Sequence, residues 1–308
     1  MILERINGIT FAPFAMKGAF ENEKAFKSAD IMIERTGTDF VMLTPVGLQE
    51  NAHSETISWE ETLSDEELIK MIDYFHSKGV RVALKPTVNC KDGTWRAHIA
   101  FFDKDVVCEP KWSNWFKSYS EFQCYYAKIA QKTKCEMFVA GCEMVMSEHR
   151  TEEWRQVLSD IKKVYSGPVS YNTDKYQEDN VEFWDAVDVI SSSGYYPIDD
   201  WERQLDRIEA VVKKYNKPFF FAETGCMSSK GSSNVPNDWE LRGTIDLEEQ
   251  EAWYEVMFDA ISKRDWVEGT CLWSWTYDLY NEEDAKNSFD YDLFGKPSEK
   301  VVKKYYSK

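Results

Sequence analysis

The sequence predicts an α/β fold of one closed (β/α)8 TIM barrel, a single domain over residues 1–308. Short β-rich apolar runs alternate with amphipathic segments from end to end, which is the pattern of βαβ units around a parallel sheet. Eight such runs occur, and the turns that enter them are short while the connections that leave them are long and polar. In a barrel those long connections gather at the C-terminal face, where ligands bind.

The expected strands are Ile6 to Phe14, Phe40 to Thr44, Val80 to Pro86, Met137 to Cys142, Val169 to Asn172, Val187 to Ser192, Pro218 to Ala222 and Thr270 to Trp275. Helices are expected between or after them. In Asp65 to Lys78, for example, Leu68, Ile69, Ile72 and Phe75 recur on one face. Ser64 with Glu67 reads as a capping box for that helix and Gly79 as its stop. Trp112 to Lys132, Glu152 to Tyr165, Trp201 to Tyr215 and Glu248 to Lys263 follow the same period. An open doubly wound sheet shares this local grammar, and the loop asymmetry favours the barrel. Ser228 to Asn234 reads as a loop within the domain.

With 54 acidic against 37 basic residues, the formal charge is -17, which repels phosphate backbones and anionic membrane surfaces. Nucleic acid and membrane are therefore excluded as expected partners, and a neutral ligand suits the field. The start Met1-Ile2-Leu3-Glu4-Arg5 shows no leader pattern, and seven cysteines without a Cys-x-x-Cys pair suggest reduced thiols, so a cytoplasmic location is expected. No cofactor or metal is expected, because the four histidines (His53, His76, His98 and His149) form no ligand motif. A monomer is expected rather than an oligomer.

Two strands end in glutamate: Gly141-Cys142-Glu143 closes the fourth, and Ala222-Glu223-Thr224-Gly225 follows the seventh. A carboxylate where an apolar strand leaves the barrel is costly unless it is solvated or paired. Strands four and seven stand on opposite sides of the mouth, so Glu143 and Glu223 would face each other across a cavity one sugar ring wide. Glycoside hydrolysis needs that arrangement, and a separation of about 5 to 5.5 Å gives retention of configuration. The alternative is that each forms only a salt bridge at a strand end. Trp273 and Trp275 end the eighth strand, where an indole offers a stacking face for a sugar or simply fills the core. Tyr195 and Tyr196 after the sixth strand supply phenols, the first suited to bonding a nucleophilic carboxylate. Asn89, Trp95 and Arg96 lie on a loop that can bind hydroxyls or be a capped surface turn.

These residues together resemble clan A of the glycoside hydrolases, and more closely its family 113, the β-1,4-mannanases. The ordered set is Asp92-Gly93-Thr94-Trp95-Arg96, Gly141-Cys142-Glu143, Glu223-Thr224-Gly225 and Trp273-Ser274-Trp275. The resemblance implies Glu143 as acid/base, Glu223 as nucleophile, Tyr195 as the phenol beside it and Trp273 as the floor under the cleaved sugar. It also implies a retaining hydrolase acting on β-1,4-linked mannan or manno-oligosaccharides. Many clan members carry asparagine where Cys142 stands, so Asn172 or Arg96 is expected to take over the 2-hydroxyl contact. β-Glucan or xylan as substrate, and a non-catalytic sugar-binding barrel, are the alternatives.

Overall fold

A computed structural model describes residues 4–307. The leader reading at Met1 to Leu3 falls outside them. Eight parallel strands close into a ring in the order β1 (Ile6–Phe11), β2 (Phe40–Leu43), β4 (Arg81–Leu84), β6 (Met137–Cys142), β7 (Val169–Thr173), β8 (Val189–Gly194), β9 (Phe219–Thr224) and β10 (Val267–Trp275), which returns to β1. The barrel is the one expected. Two short strands, β3 (Val46–Gln49) and β5 (Thr87–Cys90), pair with each other above β2 and β4 in segments that read as loop.

The helices α1 (Glu23–Thr36), α2 (Asp65–Ser77), α3 (Trp112–Thr133), α4 (Thr151–Val164), α5 (Trp201–Tyr215), α6 (Leu247–Ser262) and α7 (Ser298–Tyr306) surround the ring. After β7 a single 3-10 turn at Trp184–Ala186 stands where an α-helix was expected. Its 3 residues lie in a connection whose apolar side chains, Val181, Phe183, Trp184 and Val187, are bunched at its end and plug the core there without a helical repeat. The capping box of α2 forms, with Ser64 accepting from the Glu67 backbone. None of the described helices is long and apolar enough to cross a membrane.

Inside the ring, Ile6, Phe40, Met42, Met137, Val139, Val189 and Phe220 form an apolar plug near the strand starts. The two-residue alternation of strands then carries polar side chains inward at the strand ends: Lys85 beyond Ala83, Asn172 beyond Ser170, Ser193 beyond Ser191. At the seam between first and last strands, Tyr306 of α7 donates to the Gly8 carbonyl at 2.7 Å and lies 3.1 Å from Thr270 Oγ1.

Among the register shifts of the barrel, three at the C-terminal face interrupt the alternation next to the candidate site residues. Between Val139 and Cys142, β6 carries one more residue than β7. β9 gains one residue on β8 between the pairs Ser192–Phe221 and Ser193–Glu223, and β10 gains one on β1 between Leu272 and Trp275. An extra residue in one strand re-aims the side chains that follow it. Those side chains here are Glu143, Glu223 and the Trp273 segment.

Candidate active site

The bulge in β6 needs glycine: Gly141 has φ 111°, and a Cβ there would stand 2.3 Å from the Tyr119 hydroxyl. Glu143 itself sits in the left-handed region at φ 54°, a conformation that costs a non-glycine residue about 1 kcal/mol or more. Flanking hydrogen bonds hold it. The Glu143 N–H donates to the Asn172 carbonyl at 2.8 Å, and the Met144 N–H to the Tyr171 hydroxyl at 3.2 Å. Tyr171 in turn donates to Glu148 at 2.7 Å, whose carboxyl burial pushes up to about 8.

Glu143 and Glu223 are both buried, and one carboxyl oxygen of each lies within 4.8 Å of the other. Both line a cavity of about 1010 Å³ at the C-terminal face. Their partners differ. Glu143 accepts from Ser193 Oγ at 2.8 Å, Arg96 at 3.2 Å and the Trp95 indole at 3.3 Å. Glu223 accepts from Tyr195 at 3.1 Å, from the Cys142 thiol at 3.2 Å and from the buried Lys85 ammonium.

Burial pushes the Glu223 carboxyl up, but Lys85, with help from Arg96 and Cys142, outweighs it and leaves the net shift downward. Glu223 therefore stays ionised. Burial, and then the charge of Glu223, raise the Tyr195 phenol well above its ordinary range, so it remains a donor. Asp174, also on the cavity wall, is pushed up by burial and then by the charge of Glu143.

Lys85 was not visible as a site residue, and it is the main support of Glu223. Its replacement in Lys85→Met leaves a buried carboxylate unpaired, which costs about 3 to 5 kcal/mol of stability. Without the cation, burial wins and the Glu223 pKa rises. The acid limb of kcat/KM should then move to higher pH, so that activity lost at pH 5 exceeds activity lost at pH 7. An unmoved acid limb in a folded Lys85→Met protein would deny Lys85 this role.

Trp273, Asn89, Trp95, Arg96 and Tyr195 line the cavity, with Phe14 packed against Trp273 at 5.3 Å. Arg96 also bonds Asn89 Oδ1 at 2.8 Å and the Val88 carbonyl at 3.0 Å, which ties the loop arm to the acid side of the site. Three expected contacts lie elsewhere. Tyr196 is fully buried among Trp201, Phe221 and Tyr176 and bonds Glu178, because it follows Tyr195 and takes the opposite face. Trp275 is likewise core, donating to Ser28 at 3.0 Å, since the β10 bulge turns it away from Trp273 and leaves Ser274 lining the cavity. Asn172 is buried behind the carboxyl pair, bonded to Lys85 and Ser193. Trp239, from the long connection after β9, reaches Trp95 at 5.7 Å and lines the cavity without having stood out in the sequence.

An ionised carboxylate and a second carboxyl this close, in a cavity lined by the half-buried Trp273 indole, can carry out displacement at a sugar carbon. Comparison with known proteins agrees. The model of Glycoside Hydrolase Family 113 matches residues 9–296. A solved family 113 β-1,4-mannanase is 55% identical with a TM-score of 0.98, covering 99% of each chain. The β-mannanase AaManA of Alicyclobacillus acidocaldarius, in complex with ManMIm, is 39% identical at TM-score 0.95, over 99% of this chain and 98% of its own. A β-glucuronidase of Ruminococcus gnavus, at 14% identity and TM-score 0.67 over 50% of its length, shares the fold. Curated proteins give no match. The extent of the match, from the first barrel strand to the segment before α7, leaves one assignment: the chain belongs to glycoside hydrolase family 113.

Proposed function

We propose that this hydrolase cleaves β-1,4-mannosidic bonds with retention of configuration, Glu223 acting as nucleophile and Glu143 as acid/base. The observation that carries the reading is the approach of the two carboxyls to within 4.8 Å. Retaining enzymes hold theirs about 5 to 5.5 Å apart, whereas an inverting pair leaves about 6.5 to 9.5 Å for a water molecule. The names of the similar mannanases supply the sugar.

In the first step a Glu223 oxygen bonds the anomeric carbon as the glycosidic bond breaks, and Glu143 gives its proton to the departing oxygen. In the second, water gives a proton to Glu143 and its oxygen takes the anomeric carbon, freeing Glu223 as carboxylate. Lys85 and Tyr195 hold Glu223 in line, and Arg96, Trp95 and Ser193 fix Glu143. A neutral chain also suits the charge of -17.

Hydrolysis of manno-, cello- and xylo-oligosaccharides, compared side by side, tests the sugar: manno-oligosaccharides should be cleaved fastest. Faster cleavage of cello-oligosaccharides would overturn the substrate while leaving the mechanism. Trp273 is the stacking surface in this reading, and Trp273→Ala should lower turnover as well as binding, because small misplacements of a reacting carbon cost about 100-fold. Unchanged turnover on mannotriose would reduce the indole to a wall of the cavity.

A further inference from the structure

The two carboxyls are joined through the barrel interior as well as across the cavity. Lys85 Nζ contacts Glu223 Oε1 and also donates to Asn172 Oδ1 at 3.0 Å. Asn172 Nδ2 donates to Ser193 Oγ at 3.1 Å, and Ser193 Oγ donates to Glu143 Oε1 at 2.8 Å. Each donor points away from Lys85 and towards Glu143. Aligned dipoles of this kind reinforce one another, and all three residues are fully buried, so water does not screen them.

The charge at one end of this series changes during double displacement. In the resting enzyme the Glu223 carboxylate neutralises the Lys85 ammonium. Once Glu223 becomes a glycosyl ester its formal charge is gone, and Lys85 is left as an uncompensated buried cation. The acceptor its donors reach next is Glu143, which has just lost its proton and must act as base.

We propose that Lys85, Asn172 and Ser193 form a relay that passes the Lys85 counter-charge from Glu223 to Glu143 as the ester forms. The relay holds Glu143 ionised for the second step and leaves it free to carry a proton in the first. The proposal rests on the assignment of Glu223 as nucleophile and Glu143 as acid/base, and all three are positioning residues. Other groups face the pair: Arg96, Asp174, Tyr195, Tyr291 and Cys142 around Glu143, with Cys142 and Cys271 beside Lys85. None of them changes its covalent state between the steps, so only the charge on Glu223 differs.

The test uses a 2-fluoro manno-oligosyl fluoride to trap the ester, with the pKa of Glu143 followed by carbon NMR of carboxyl-labelled protein before and after trapping. In the native enzyme trapping should lower it by about 1 to 3 units. Ser193→Ala, and separately the near-isosteric Asn172→Leu, should remove more than half of that drop, and Ser193→Thr, which keeps the hydroxyl, should restore it. An undiminished drop in either broken variant overturns the relay and leaves the roles intact. Labelling at a residue other than Glu223, read from the mass of the modified peptide, overturns the roles and the relay with them.

Discussion

Glu223→Ala should abolish turnover of manno-oligosaccharides by about four orders of magnitude or more, the scale on which loss of a nucleophile is felt in enzymes whose residues act as a unit. Added azide should restore part of it. The anion would enter a space lined by Tyr195 and the Lys85 ammonium, which the missing carboxylate leaves without a partner. Because azide replaces a two-step route by one displacement, the product should be a glycosyl azide of inverted configuration. An azide of retained configuration from this variant would exchange the roles of Glu143 and Glu223. The same substitution strands a buried cation, so a thermal melt should accompany the kinetics. Glu223→Gln, which keeps an acceptor for Lys85, should melt higher than Glu223→Ala and be as inactive.

Glu143→Gln should show a loss that depends on what leaves. Natural oligosaccharides need a proton on the departing oxygen, and their cleavage should fall by about two to four orders of magnitude. A dinitrophenyl mannoside leaves without that help, so its first step should run near the native rate while the second, lacking a base, stalls. A burst of dinitrophenol equal to the enzyme concentration is the expected trace. Azide should end the stall and yield a product of retained configuration. Equal losses with good and poor leaving groups would remove Glu143 from proton transfer. In the variant the amide oxygen still accepts from Arg96, while the amide nitrogen needs the Ser193 hydroxyl to turn and accept, so a crystal structure of Glu143→Gln should show the side chain in its native position.

The barrel could be read from alternation and loop length because each strand needs its own apolar run, and each run is local. The site was legible where chemistry and position coincide, as with glutamates at the ends of two apolar strands. Lys85 carried a signal that went unused: with Ala83 inward, a two-residue period also turns Lys85 inward, and a lysine in that place needs an anion. Ser193 and Asn172 follow by the same count, although small polar residues in strands are too common to stand out. Bulges were beyond reach, because one extra residue leaves no mark in composition. For that reason Trp275 and Trp273 read as neighbours on one face, while the shift between Leu272 and Trp275 separates them. The pairing of β3 with β5 was missed for a similar reason: four residues each, in polar connections, hold too little pattern to separate strand from loop.

The seam held by Tyr306 has a consequence for how such a chain comes to be folded. The hydrogen bond from Tyr306 to Gly8 joins residues 298 apart in sequence, and β1 gains its second neighbour only when β10 has been made. On a ribosome working from the N-terminal end, β1 therefore emerges early and waits through nearly the whole of synthesis with one edge open. Loop closure over so long a separation is slow, and an unpaired edge invites pairing with other chains. The acidic excess gives nascent chains a mutual repulsion during that wait, so the charge that suits a neutral sugar in the finished enzyme also guards the interval before the ring is complete.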